Sequence, residues 1–146
     1  MKSEIKSLYD ENHLELAAMI AFGRLSRTIR AEYRPALIAK GLTPTQFGVL
    51  EVLYRYGNMC ISELLDTILM TSGNITVVIK NMARNGWILK YQDPKDKRSC
   101  IISLTDRGRV LIESVLPDHI NDVATVFSKI TDEEKVTLRM ILEKLK

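Results

Sequence analysis

At 146 residues with 46% apolar side chains, the chain has the size of one domain with a packed core, and extended disorder is excluded. The net charge is only +3, but residues 80–109 hold eight cations against three carboxylates, a local +5 that leaves the remainder at −2. The opening Met1-Lys2-Ser3-Glu4 has no signal-type apolar region and the run Leu16–Phe22 is too short to span a bilayer, so a cytoplasmic chain without a membrane segment is expected. Two cysteines, Cys60 and Cys100, make no disulfide framework and fit a reducing compartment.

The first element is a long helix. From Leu14 to about Ile38, Leu14, Ala18, Ala21, Phe22, Leu25, Ile29 and Tyr33 recur at three- and four-residue steps, while Leu16, Met19 and Ile20 widen the stripe. Arg24, Arg27, Arg30 and Arg34 occupy the remaining face as a solvated stripe, or as a subunit or backbone contact. Thr43-Pro44-Thr45-Gln46 then supplies a capping hydroxyl, a proline at the first helical position and an amide that closes a capping box. Phe47, Leu50, Leu53 and Tyr54 mark the buried face of this second helix, and Gly57-Asn58 stops it. A short helix from Ile61 to about Ile68 follows, with Cys60 at its cap.

After Leu69 and Met70, Thr71 or Ser72 caps a further helix that runs to about Asn85 and ends at Gly86. Ile75, Val78, Ile79 and Met82 turn inward on it, leaving Ser72, Gly73, Asn74, Thr76, Val77 and Lys80 outward. Short hydroxyl and amide side chains near a helix start can touch base edges, and the free N–H groups there favour phosphate. Gly73 lets the backbone itself come close.

The stretch that follows decides how that face is to be read. Trp87, Leu89 and Tyr91 alternate on one strand, Cys100, Ile102 and Leu104 on the next, and Asp93-Pro94-Lys95-Asp96-Lys97-Arg98 forms a charged turn between them. A helix pair running into a basic hairpin is the layout of a winged helix-turn-helix, which binds duplex DNA. Arg98 at the tip suits a narrow minor groove, Lys95 and Lys97 suit phosphate, and Asp96 is placed to hold the Arg98 guanidinium by a charge-assisted hydrogen bond. The rival binding mode is a non-specific architectural DNA protein, which would share the wing but not the sequence preference.

The C-terminal third is helical again. Val110, Leu111, Ile112, Val115 and Leu116 lead to Pro117, where the helix is kinked or interrupted, and Ile120, Val123, Ala124, Val126 and Phe127 continue. Thr131-Asp132-Glu133-Glu134 is a second capping box, before Val136 or Leu138, Ile141, Leu142 and Leu145. Helices this apolar at both ends of a small chain call for a partner copy, and a two-fold dimer would set two reading heads about 34–36 Å apart. His13 and His119 have no companions at metal-ligand spacing, and no nucleophile elbow, phosphate loop or acid–base pair is present. Neither a metal, a cofactor nor an enzyme is expected.

From Thr43-Pro44-Thr45-Gln46-Phe47 through Ser62-Glu63-Leu64 and Arg84-Asn85-Gly86 to Asp93-Pro94-Lys95-Asp96-Lys97-Arg98-Ser99 and Leu104-Thr105-Asp106-Arg107-Gly108, the chain resembles the MarR family, the multiple antibiotic resistance regulators. It departs from the usual pattern at Leu65 and Gly73, where small residues and Ser or Ala respectively are common. The resemblance implies a mainly α fold with a small β-hairpin wing and an intertwined helical homodimer. One domain would span 1–146, with 1–40 and 106–146 as the dimerisation region and 43–105 as the winged lobe. It implies DNA contacts by Thr71, Ser72, Gly73, Asn74, Thr76, Val77, Lys80, Lys95, Asp96, Lys97 and Arg98, and a repressor released by a small phenolic or aromatic effector or by oxidation. The family's effector cavity would draw on Phe22, Ser26, Arg30, Leu50, Tyr54, Val110 and Val115. Cys60 and Cys100 would serve as a redox pair if the two thiols approach each other.

Overall fold

The computed structural model describes residues 2–68 and 75–145, which fold into α1 (Lys2–Glu11), α2 (His13–Ala39), α3 (Pro44–Tyr56), β1 (Met59–Cys60), α4 (Ile61–Thr67), α5 (Ile75–Arg84), β2 (Ile88–Gln92), β3 (Cys100–Leu104), α6 (Asp106–Glu113), α7 (Leu116–Phe127) and α8 (Asp132–Glu143). The chain divides into two compact units, one made of residues up to Tyr33 together with those from Asp122 onward, the other running from Arg34 to Asn121.

In the central unit, local signals in the sequence set most element boundaries. At the end of α2, Leu42 N–H donates to the Leu37 carbonyl at 2.9 Å and Gly41 N–H to that of Ile38 at 2.9 Å, the paired bonds of a Schellman cap. Gly41 supplies the left-handed φ of 70° that this cap requires. Thr43 then starts α3 as read from its sequence: Gln46 N–H donates to Thr43 Oγ1 at 3.2 Å, and Thr43 N–H donates back to Gln46 Oε1 at 2.9 Å. Cys60 does the same for α4 with a thiol, its backbone N–H donating to Glu63 Oε2 at 2.8 Å and its Sγ accepting from Glu63 N–H at 3.5 Å.

The sheet is antiparallel with strand order β1-β3-β2. β1, a two-residue strand, carries no period that sequence reading could detect, and it exists because Met59 and Cys60 pair with Ile102 and Ile101. β2 and β3 form the expected hairpin, with Ile88 opposite Leu104 and Gln92 opposite Cys100. The apolar alternation of β2 does not mark its buried face. Ile88 is 1% exposed whereas Leu89 is 58% exposed, because the face shared by Ile88 and Ile102 is the one laid on the helices. β2 packs on α5 and β3 on α3, around a core that includes Leu37, Leu50, Leu64, Ile79, Met82 and Ile112.

The interruption expected near Pro117 is a full break. α6 ends at Glu113, and α7 begins at Leu116 with the proline in its first turn, where a missing N–H leaves no helical bond unmade.

The terminal unit contains α1, the first 21 residues of α2, the end of α7, and α8. α1 precedes the first helix expected from the sequence, which starts at Leu14; Ile5, Leu8 and Tyr9 give it an apolar side that is exposed in the single chain. The second capping box forms as expected: Thr131 N–H donates to Glu134 Oε2 at 2.8 Å and Glu134 N–H to Thr131 Oγ1 at 3.2 Å. No described residue of α8 is buried, and Val136, Met140, Ile141 and Leu145 stand at half exposure or more.

Candidate nucleic-acid interface

α5 splits into two faces at helical spacing. Ile75, Ile79 and Met82 are buried against the body, while Thr76, Val77 and Lys80 are exposed, as their positions in the sequence require. Thr71, Ser72, Gly73 and Asn74 lie outside the described residues. The far end of the helix closes with another Schellman cap: Trp87 N–H donates to the Met82 carbonyl at 3.1 Å and Gly86 N–H to that of Ala83 at 3.0 Å, with Gly86 at φ 71°. Arg84 in the last turn donates from Nη2 to Asn81 Oδ1 at 3.2 Å.

The wing tip is held by its own hydrogen bonds. Asp93 N–H donates to the Ser99 carbonyl at 3.0 Å and Ser99 N–H to the Asp96 carbonyl at 2.9 Å. The Asp93 carboxylate accepts from Lys95 N–H at 2.8 Å, and the Asp96 carboxylate accepts from Arg98 N–H at 2.9 Å. Asp96 thus grips the backbone of Arg98, and the guanidinium bond expected from the sequence is not formed. An Asx turn satisfies the carboxylate two residues on, which leaves the arginine side chain to solvent. Gln92 donates from Nε2 to the Lys97 carbonyl at 2.6 Å, a tie across the tip that no periodic signal announces. Lys95, Lys97 and Arg98 are exposed, and among the described residues none of them makes an ion pair. Three cations on a pre-shaped loop beside a polar helix face form a surface suited to a polyanion.

The remaining candidates belong to both units. Cys60 stands opposite Ile101 in the β1–β3 pairing, so Cys100, one residue along, points to the other face of the sheet. Both thiols are free, and the direct pairing read from the sequence does not fit this register. Cys60 Sγ instead lies 2.9 Å from Ser62 Oγ. Of the effector set, Leu50 and Val115 are core residues of the central unit, Val110 is exposed there, and Tyr54 is half-buried with the Arg109 guanidinium 5.4 Å from its ring centre. Phe22, Ser26 and Arg30 belong to the terminal unit. None of the seven lines the cleft of about 260 Å³ formed there by Phe127, Lys135, Leu138, Arg139, Leu142 and Glu143.

The comparisons with known proteins agree with this geometry. The MarR family model matches residues 42–100. The helix-turn-helix-type transcriptional regulator YkoM of Bacillus subtilis is 39% identical over 104 residues, covering 71% of this chain and 68% of YkoM. A MarR family regulator of Streptomyces coelicolor, solved in complex with DNA, shares the fold with a TM-score of 0.80 at 20% identity, over 91% of this chain and 86% of that one. Bordetella bronchiseptica BpsR, whose DNA binding is regulated by 6-hydroxynicotinic acid, matches with a TM-score of 0.76 at 22% identity, over 86% of this chain and 89% of that one. The paired helix and wing, the family match and the extent of likeness to YkoM together establish that this chain belongs to the MarR family of winged-helix, DNA-binding transcriptional regulators, which are not enzymes.

Proposed function

We propose that this regulator is a repressor, that it binds a pseudo-palindromic operator as a homodimer, and that a small molecule or an oxidant releases it by changing the spacing of its two reading heads. The observation that carries this reading is the outward face shared by Thr76, Val77 and Lys80 on α5 and the unpaired Lys95, Lys97 and Arg98 on the wing. In the reading, Thr71, Ser72, Gly73, Asn74, Thr76 and Val77 meet base edges in a major groove, and Lys80, Lys95 and Lys97 meet phosphate. Arg98 enters the adjacent minor groove, with Asp96 holding its backbone in place.

Dimerisation is supported by the apolar side chains that the terminal unit leaves uncovered. Leu14, Met19, Ile20 and Phe22 on α2 and Val136, Met140 and Ile141 on α8 are all exposed in the single chain, more than a monomer ordinarily leaves to water. The response of BpsR to an aromatic acid makes small aromatic and phenolic compounds the first effectors to test, with Phe22, Ser26, Arg30, Leu50, Tyr54, Val110 and Val115 as the candidate contact set. For an oxidative signal, Cys60 and Cys100 would react singly with the oxidant, since their register does not favour a mutual disulfide.

The test is retention, in a gel-shift experiment at fixed salt, of the DNA upstream of the protein's own gene against random competitor. Preferential retention is the expected result; equal competition by random DNA overturns the repressor and leaves the architectural binder. Phenolic, quinone and peroxide compounds are then added to wild-type, Cys60→Ser and Cys100→Ser proteins, and release that survives both substitutions assigns the signal to a ligand.

A further inference from the structure

At the base of the wing, four elements meet on one side chain. α5 ends in the Gly86 cap, β2 starts immediately after it, β3 ends at Leu104, and α6 begins at Asp106. Thr105 stands between the last two and reaches back to the first two. Its N–H donates to the Trp87 carbonyl at 3.1 Å, and its hydroxyl lies 2.7 Å from the Gly86 carbonyl and 3.0 Å from that of Trp87. The same hydroxyl oxygen accepts from Gly108 N–H at 3.0 Å and so caps α6. A hydroxyl has one proton to give and two lone pairs to accept with. Here it spends the proton on the exit of α5 and a lone pair on the entry of α6.

The backbone closes around this bond. A Cβ on Gly108 would run into the Trp87 carbonyl and would lie 2.9 Å from Leu104 Cδ1, so the first turn of α6 sits directly on the start of β2 with no space for a side chain. The clasp is partly buried, and the two carbonyls to which Thr105 donates belong to Gly86 and Trp87, two of the three residues joining α5 to β2.

We infer that Thr105 is a positioning residue for DNA recognition: its hydroxyl fixes the angle between α5 and the β2–β3 wing and thereby determines sequence discrimination without touching DNA. The inference rests on the proposed roles of α5 and the wing. A specific complex needs side chains from both elements in register with two neighbouring grooves, a requirement on the order of 0.5 Å. Non-specific binding is summed phosphate attraction and tolerates a loose angle. Loss of the clasp therefore lowers the ratio of specific to non-specific affinity, whereas a residue that only stabilises the fold lowers the melting temperature and leaves the ratio alone.

Three substitutions separate the two jobs of the hydroxyl. Thr105→Ser keeps both, Thr105→Val keeps the shape and removes both, and Thr105→Asp keeps a strong cap for α6 but has no proton for Gly86 and Trp87. The probe is a duplex selected by the wild-type protein from a randomised library, with a scrambled duplex of the same composition as reference. Thr105→Asp is expected to reduce the affinity ratio about tenfold, the equivalent of one lost hydrogen bond, with Thr105→Ser within about twofold of wild type. A ratio unchanged in Thr105→Asp, or one lost equally in Thr105→Ser, overturns the inference; if the Asp protein does not fold, Thr105→Val is read by the same criterion.

A second readout needs no DNA. Spin labels are placed through Lys80→Cys and Lys97→Cys in a Cys60→Ser, Cys100→Ser background and diluted with excess unlabelled protein. Their distance distribution should broaden in Thr105→Asp and stay narrow in Thr105→Ser, and an unbroadened distribution counts against the clasp even if the library yields no preferred duplex. Failure of the selection alone, with a broadened distribution, falls on the proposed function and not on Thr105.

Discussion

Among the described residues, Arg98 makes no ion pair with the carboxylates of the wing; Asp93 and Asp96 each accept from a backbone N–H group of the loop. Asp96 is thus a shape residue. Its work is to hold the peptide of Arg98. Arg98→Ala should weaken operator binding with folding and dimerisation intact, by about 1–3 kcal/mol in an anisotropy titration, and an unchanged affinity would discredit the minor-groove role. Asp96→Asn retains an acceptor for the Arg98 N–H, so it is expected to behave far closer to wild type than Asp96→Ala does.

Among the elements, α4 depends most on an unusual cap. A thiol is a weak acceptor and Cys60 Sγ stands 3.5 Å from Glu63 N–H, whereas the hydroxyl caps of α3 and α8 accept at 3.2 Å. Cys60→Ser should raise stability by up to about 1 kcal/mol, measured as a shift in the denaturant midpoint at constant slope. The reciprocal bond from Cys60 N–H to the Glu63 carboxylate is the main reason that this group is held below its ordinary value of 4.5. A carboxylate with a depressed folded-state pKa stabilises above its unfolded pKa, and that contribution is lost as pH falls through the folded value. Acid should therefore loosen α4 at pH values below about 4.5, seen as faster amide exchange, and Glu63→Gln should abolish that dependence, since its amide oxygen accepts at every pH.

For the whole molecule, the central unit closes a core of its own, while among the described residues of the terminal unit only Tyr33 is buried. α8 illustrates the imbalance: a complete capping box at its start and an ion pair from Lys135 to Asp132 at 2.8 Å stabilise it locally, yet Ile141 remains 51% exposed. In the proposed homodimer with α8 at its interface, Ile141→Arg should shift the protein from dimer to monomer in sedimentation at micromolar concentration. Operator affinity should then fall about a hundredfold, because the second half-site is no longer held at high effective concentration. A variant that remains dimeric with full affinity would remove α8 from the interface.

Apart from α1, whose short stripe of Ile5, Leu8 and Tyr9 is too brief to stand out, the helices, most of their caps and the hairpin were legible in the residues because each is determined by contacts within a few positions: a threonine three before an amide or carboxylate, a glycine where φ is positive, apolar side chains at steps of three and four. The family resemblance was legible for the same reason, as a string of such local devices in fixed order. What lay beyond reach depended on partners distant in sequence. The strand β1 has no existence apart from β3, the buried side of β2 was chosen by the helices beneath it, and the opposite facing of Cys60 and Cys100 followed from register. Thr105 carries no signal in the sequence beyond its place in the Leu104–Gly108 stretch, because the Gly86 and Trp87 carbonyls that its hydroxyl reaches lie 19 and 18 residues away. Chain-local physics wrote the elements of this regulator, and only the folded backbone decided which side chains would hold them at an angle.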